Sequence, residues 1–110
     1  MTARLTTDLW VSAYLARLRF AAIPAYLAAK GDPTAGAVAV KVATMDGRAS
    51  VFVRAYGAEG ERVWSPLVEA AEEAEAEAAL ARQRRFDPDL WIVEIEDPKG
   101  RTLLGEEGLD

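Results

Sequence analysis

The run Arg82-Gln-Arg-Arg-Phe-Asp-Pro-Asp-Leu-Trp91 holds the densest polar chemistry in the chain. Guanidinium forks grip carboxylates or phosphates through paired hydrogen bonds, so Arg82, Arg84 and Arg85 are candidates for holding an anionic group. Arg82 and Arg85 are three apart and share one helix face, while Arg84 points elsewhere. Asp87 and Asp89 occupy the turn behind the arginines, and Trp91 opens the next strand. Arg82, Arg84, Arg85, Asp87, Asp89 and Trp91 are therefore the candidate binding surface. The same residues also have a plain structural use. Basic side chains suit a helix C-terminus, aspartate closes turns, and arginines pair with nearby carboxylates.

Other constellations carry less. Glu69, Glu72, Glu73, Glu75 and Glu77 read as a solvated helix face, because metal loops need converging ligands of the Asp-x-Asp-x-Asp-Gly kind. Glu94 and Glu96 share one strand face about 7 Å apart, a spacing that acid–base chemistry could use but that soluble edges often show. Gly31-Asp-Pro-Thr-Ala-Gly36 could cradle an anion, yet it lacks the Gly-Lys-Ser/Thr ending of a phosphate loop and reads as a hairpin turn. Ser12 has no histidine anywhere to activate it. The absence of histidine and cysteine excludes Ser-His-Asp triads, thiol nucleophiles and His- or Cys-ligated metals. Whether the chain is an enzyme is left open by the sequence, which leans against it: no catalytic residue, metal or cofactor is assigned.

The elements that must position these residues follow from periodicity. Val11, Tyr14, Leu15 and Leu18 recur at helical spacing across 7–20, with Thr7 or Asp8 to cap the first turn. Segment 23–30 reads either as a helix entered at Pro24 or as a strand over 25–30. Val38, Val40 and Val42 alternate along a strand over 37–44, Asp46-Gly47 marks a hairpin turn, and 49–56 returns. A further turn falls at 57–61 and a short strand at 62–65. Ser65-Pro66 resembles an N-cap with proline at the first helical position, which starts a helix reaching Phe86; alternatively a loop comes first and the helix begins nearer Glu72. Leu67, Ala71, Ala74, Ala78 and Ala81 would give that helix a stripe of small side chains. Asp87-Pro88 stops it. The strand over 90–96 is apolar on both faces at its start, which suits an interior position. A turn at 97–101 lets Thr102, Leu103 and Leu104 pair back, and 105–110 is an acidic, frayed tail.

The fold class that results is α+β: an antiparallel sheet of four to six strands, an N-terminal helix, and a second helix inserted before the penultimate strand. One domain over 1–110 suits the length. Twenty-two alanines inflate the 51% hydrophobic content, but the larger apolar residues still suffice for a modest core. Trp10, Trp64 and Trp91 read as core or rim packing. The 13 basic and 18 acidic residues leave a net charge of −5, which disfavours nucleic acid as a partner. No apolar run is long enough to cross a membrane, and no secretory signal shows at the N-terminus, so a cytoplasmic protein is expected.

Three stretches together carry a family resemblance: Leu9-Trp-Val-Ser-Ala-Tyr-Leu15, Gly31-Asp-Pro-Thr-Ala-Gly-Ala-Val38 and Arg82-Gln-Arg-Arg-Phe-Asp-Pro-Asp-Leu-Trp-Ile-Val-Glu94. Over about Arg4 to Leu104 the chain resembles a family of short alphaproteobacterial proteins known only as a domain of unknown function. The resemblance implies a bacterial protein and favours the strand reading of 25–30. It implies no activity, cofactor or catalytic residue. The expected function is a protein-interaction or accessory module, the alternative being a protein that binds a small anionic ligand or nucleotide, with or without turnover. The expected partner is another protein, and exposed sheet edges allow a homodimer.

Overall fold

The computed structural model of the chain describes residues 5–56 and 62–106. The order is α1 (Thr7–Phe20), β1 (Ala25–Ala29), β2 (Val38–Ala43), β3 (Arg48–Tyr56), β4 (Arg62–Glu72), α2 (Glu73–Phe86) and β5 (Trp91–Glu96). The fold is α+β, with five strands in the order β1-β5-β2-β3-β4. Every neighbouring pair is antiparallel except β2 and β5, which run parallel. The sheet is therefore mixed but mostly antiparallel, and α2 precedes the last strand.

α1 begins and ends where its sequence pattern does. Trp10, Val11, Tyr14 and Leu18 are buried along one face. Its first two amides are satisfied from outside the helix: those of Thr7 and Asp8 donate to the Thr34 and Pro33 carbonyls at 3.1 and 3.0 Å. The Asp8 carboxylate accepts from the Leu9 amide at 2.8 Å. The helix closes in a Schellman motif, the Ala22 amide donating to the Arg19 carbonyl and the Ile23 amide to the Leu18 carbonyl. Ala22 holds the left-handed conformation, φ 59°, that this motif demands.

The 31–36 turn does not close a hairpin. β1 and β2 each pair with β5, which lies between them. The turn crosses the end of β5 instead and caps α1. β2 and β3 do form a hairpin, with Gly47 at φ 86° in its tight turn.

β4 corrects the expectation of a short strand followed by a helix from Pro66. It runs eleven residues, with Pro66 opposite Phe52. Proline is tolerated because β4 is an edge strand, and two register shifts interrupt its pairing with β3. Ala70, at φ 46°, donates its amide to Ser50 Oγ at 2.9 Å. The alternative start near Glu72 is the observed one. The predicted alanine stripe was phased on Leu67, which lies in β4. Ala76, Ala79 and Leu80 face the core, and Ala74, Ala78 and Ala81 are exposed.

The sheet is covered on both faces. Val38, Val40, Val42, Trp91, Val93 and Ile95 pack against α1. Ala39, Ala49, Val51 and Ile92 pack with Ala76 and Leu80 of α2. β2 is buried along its whole length, and β5 is buried on both faces over its first three residues. Residues 102–104 form no strand. Leu104 instead joins the α1 core, and the Thr102 carbonyl accepts from the Tyr14 hydroxyl at 2.8 Å. Within the expected frayed tail, Glu106 pairs with Arg17 at 3.2 Å, while 107–110 lie outside the described residues, as does the turn expected at 57–61.

Candidate functional site

The structure divides the arginine–aspartate–tryptophan run into an inward and an outward set. Arg84 leaves the last turn of α2 and donates to the Lys30 carbonyl at 3.0 Å, with a longer contact of 3.5 Å to the Pro88 carbonyl. The Asp87 carboxylate accepts from the Asp89 amide at 3.1 Å and closes the turn after the helix. Trp91 is buried, and its indole N–H donates to the Asp32 carbonyl at 2.7 Å. The Asp32 amide donates back to the Asp89 carbonyl at 3.1 Å. These contacts lock the 31–36 turn against the junction of α2 and β5. Glycine is required there, since a Cβ on Gly31 would stand 1.9 Å from the Asp89 carbonyl oxygen. The Gly31–Gly36 segment thus serves as a packing joint.

Arg82, Arg85 and the Asp89 side chain point outward. The arginine pairings with Glu75, Glu77, Asp87 or Asp89 weighed from sequence do not form: Arg82 and Arg85 make no ion pair among the described residues. Beside them stands a residue the chemistry-led reading passed over. Phe86, the last residue of α2, is 87% exposed. Its signal was present in the sequence as an aromatic four residues after Arg82 and next to Arg85 on a polar helix end.

A second constellation was also missed. Lys41 lies on the α2 side of β2 with a side chain only 4% exposed. Its ammonium donates to Glu73 at 3.0 Å, to Glu94 at 3.3 Å, and to Glu77. Burial pulls its pKa down, but hydrogen bonds to Glu77 and Glu73 and the charge of Glu94 outweigh it and hold the group above the ordinary lysine value. Glu94 is therefore engaged with Lys41, while Glu96 is exposed. Three carboxylates do converge here, but the lysine ammonium fills the place a cation would take. Part of the acidic run is thus an inward-facing counterion set. The visible clue was a single charge in the middle of an alternating valine strand.

At the α1 side, Trp10 stacks on Tyr14 at 4.9 Å and lies 5.7 Å from Trp64. The Arg54 guanidinium covers both indoles at 4.7 and 5.2 Å. All three tryptophans serve packing. A shallow groove of about 330 Å³ lies at the far end of α1 between Arg17, Phe20, Leu103 and Glu106. No helix among the described residues is long and apolar enough to cross a membrane.

The comparisons with known proteins agree with this geometry. The model of a family described as "Protein of unknown function (DUF1491)" matches residues 5–105. A crystal structure of a DUF1491 family protein from Caulobacter crescentus CB15 is 43% identical. It superposes with a TM-score of 0.84 over 92% of this chain and 95% of that one. An NMR structure of a DUF1491 family protein from the same organism is 42% identical, with a TM-score of 0.81 over 92% and 93% of the chains. The solution structure of Atu0922 from A. tumefaciens is 35% identical, with a TM-score of 0.74 over 86% of each chain. No curated protein matches the chain.

Proposed function

The chain belongs to the DUF1491 family, a family of unknown function, and we propose that this member is a protein-interaction module that docks through the C-terminal end of α2. One observation carries the reading: Phe86 stands almost fully in water with Arg82 and Arg85 exposed on the same stretch of helix. Positions 82, 85 and 86 share a face at three- and four-residue spacing. Burying such a ring in a partner recovers about 2–3 kcal/mol. Aromatic residues and arginine dominate interface hot spots, and a helix presenting them fits a groove. The partner's expected chemistry is an apolar pocket rimmed by carboxylates.

A small anionic ligand has less support. Arg84 is committed to the Lys30 carbonyl, and the groove at the end of α1 is lined by other residues, with Arg17 already paired to Glu106.

The test is affinity capture from an extract of the native source, comparing wild type with the Arg85→Glu/Phe86→Ala double variant. Arg84 is left intact because its guanidinium holds the fold. Both altered side chains are exposed, so each change is expected to move stability by no more than about 0.5 kcal/mol. The expected result is a protein held by the wild type and lost by the variant. With that partner purified, calorimetry should show binding weakened at least about tenfold. No specific partner, or one retained equally by both chains, overturns the proposal.

A further inference from the structure

The outward charges of α2 are segregated. Its first turn exposes Glu75, with Glu72 just before the helix, and its last turns expose Arg82 and Arg85. Charges on a helix surface commonly pair three or four residues apart. Around Glu75 and Arg82 those places hold only alanine, Phe86 or a like charge. Glu75, Arg82 and Arg85 make no ion pair among the described residues. The helix dipole accounts for acids first and bases last. It does not account for what lies between them. Ala74, Ala78, Ala81 and Arg85 are all exposed and recur at steps of four, three and four, the spacing of a coiled-coil seam. The buried Ala76, Ala79 and Leu80 occupy the other side of the helix, so this seam points away from the sheet.

Two copies of α2 laid antiparallel along this seam are complementary in charge. Glu75 and Arg82 are one heptad apart and lie on the same flank of the seam. In an antiparallel pair related by a twofold axis, each flank of one helix meets the same flank of the other. Setting Ala78 of one copy beside Ala81 of the other puts Ala74 beside Arg85. The same register brings Glu75 within reach of Arg82, twice by symmetry. Small side chains along the seam let the axes approach to about 8 Å. Phe86, one turn beyond Arg82, then reaches the start of α2 in the other copy, at Ala71 and the exposed Glu72. We propose that α2 pairs with α2 of a second copy, antiparallel along the alanine seam, with Glu75 and Arg82 joined across it. The inference names the partner of the docking surface and rests on that reading.

Sedimentation equilibrium reads the pairing. The wild-type mass should rise from 11.9 kDa toward twice that value as concentration increases. The range to scan is about 20 μM to about 1 mM, as mass action requires for a small interface. Glu75→Arg alone sets cation against cation at both crossings, and Arg82→Glu alone sets anion against anion. Each should keep the wild-type circular dichroism spectrum and associate at least about tenfold more weakly. Mixed in equal amounts, the two variants restore both opposite-charge pairs, so the mass of the mixture should rise as that of the wild type does. A helix-dipole role for these charges cannot produce that rescue. If either variant unfolds, the wild type is compared at about 0.05 M and about 0.5 M salt, where screening of the exposed pairs should weaken association severalfold. A wild type that keeps the mass of one chain at about 1 mM overturns the self-pairing. So does a mixture no more associated than its two components, or association indifferent to salt. The docking reading fails separately: a monomeric chain that still captures a different protein through Arg85 and Phe86 refutes the second copy and leaves the docking surface standing.

Discussion

Lys41 sits in β2 between two buried valines, with its ammonium among three carboxylates. An isolated buried ammonium would be costly, and Glu73, Glu77 and Glu94 compensate it. Its pKa is raised, so its contribution is present through neutral pH and is lost only as pH climbs past the folded value. Lys41→Met keeps an apolar stem but leaves the carboxylates facing one another. The expected loss at pH 7 is about 3 kcal/mol, measured by urea denaturation. A folded Lys41→Met chain as stable as the wild type would contradict the assignment. Asp97 shows the opposite sign. Its buried carboxylate accepts Arg101 Nε, Nη2 and the backbone amide, and these bonds, the side-chain ones foremost, lower its pKa from 3.8 to about 2. Its contribution is complete above the unfolded value and lost as pH falls through the folded one. The difference in melting temperature between wild type and Asp97→Asn should be widest above about pH 5 and close toward about pH 2. A gap that stays constant across that range would contradict the assignment.

At the scale of elements, legibility followed how local the deciding interactions are. The bounds of α1 were readable because its buried face repeats every three to four residues, although Thr7 and Asp8 are its first two residues and the cap position falls on Thr6, with no side-chain capping bond. The β2–β3 hairpin was readable because Asp46-Gly47 supplies the positive φ that its turn needs. β4 was not. Residues 66–72 are alanine- and glutamate-rich, and isolated propensity favours helix, yet pairing with the nine-residue β3 wins. The closing motif of α1 also carries a measurable cost. Alanine occupies its left-handed position, where glycine would adopt the same geometry freely. Ala22→Gly should therefore stabilise the protein by about 0.5–1 kcal/mol, seen as a higher denaturation midpoint. A lower midpoint would show that the alanine methyl contributes packing that outweighs its backbone strain.

At the scale of the whole molecule, one sheet serves two cores. Leu18 lies under α1 on one face, and Leu80 lies under α2 on the other. β2 and β5 contribute residues to both, so the faces should unfold together. Leu18→Ala and Leu80→Ala should each cost about 3 kcal/mol. Because the sheet separates them, the double variant should equal their sum within about 0.5 kcal/mol, in a single transition. Two resolved transitions would mean that the faces are independent. The sequence by itself determined the α+β class, the helical and strand periods, the absence of histidine and cysteine chemistry, and the family. Those properties depend on residue types and on contacts between near neighbours. Only the tertiary structure decided that β5 enters between β1 and β2, that Arg84 and Trp91 turn inward while Arg82, Arg85 and Phe86 stay in water, and that Lys41 gathers Glu73, Glu77 and Glu94. Each of those outcomes depends on segments tens of residues apart, whose meeting is governed by which faces can be buried together and leaves no mark on local spacing.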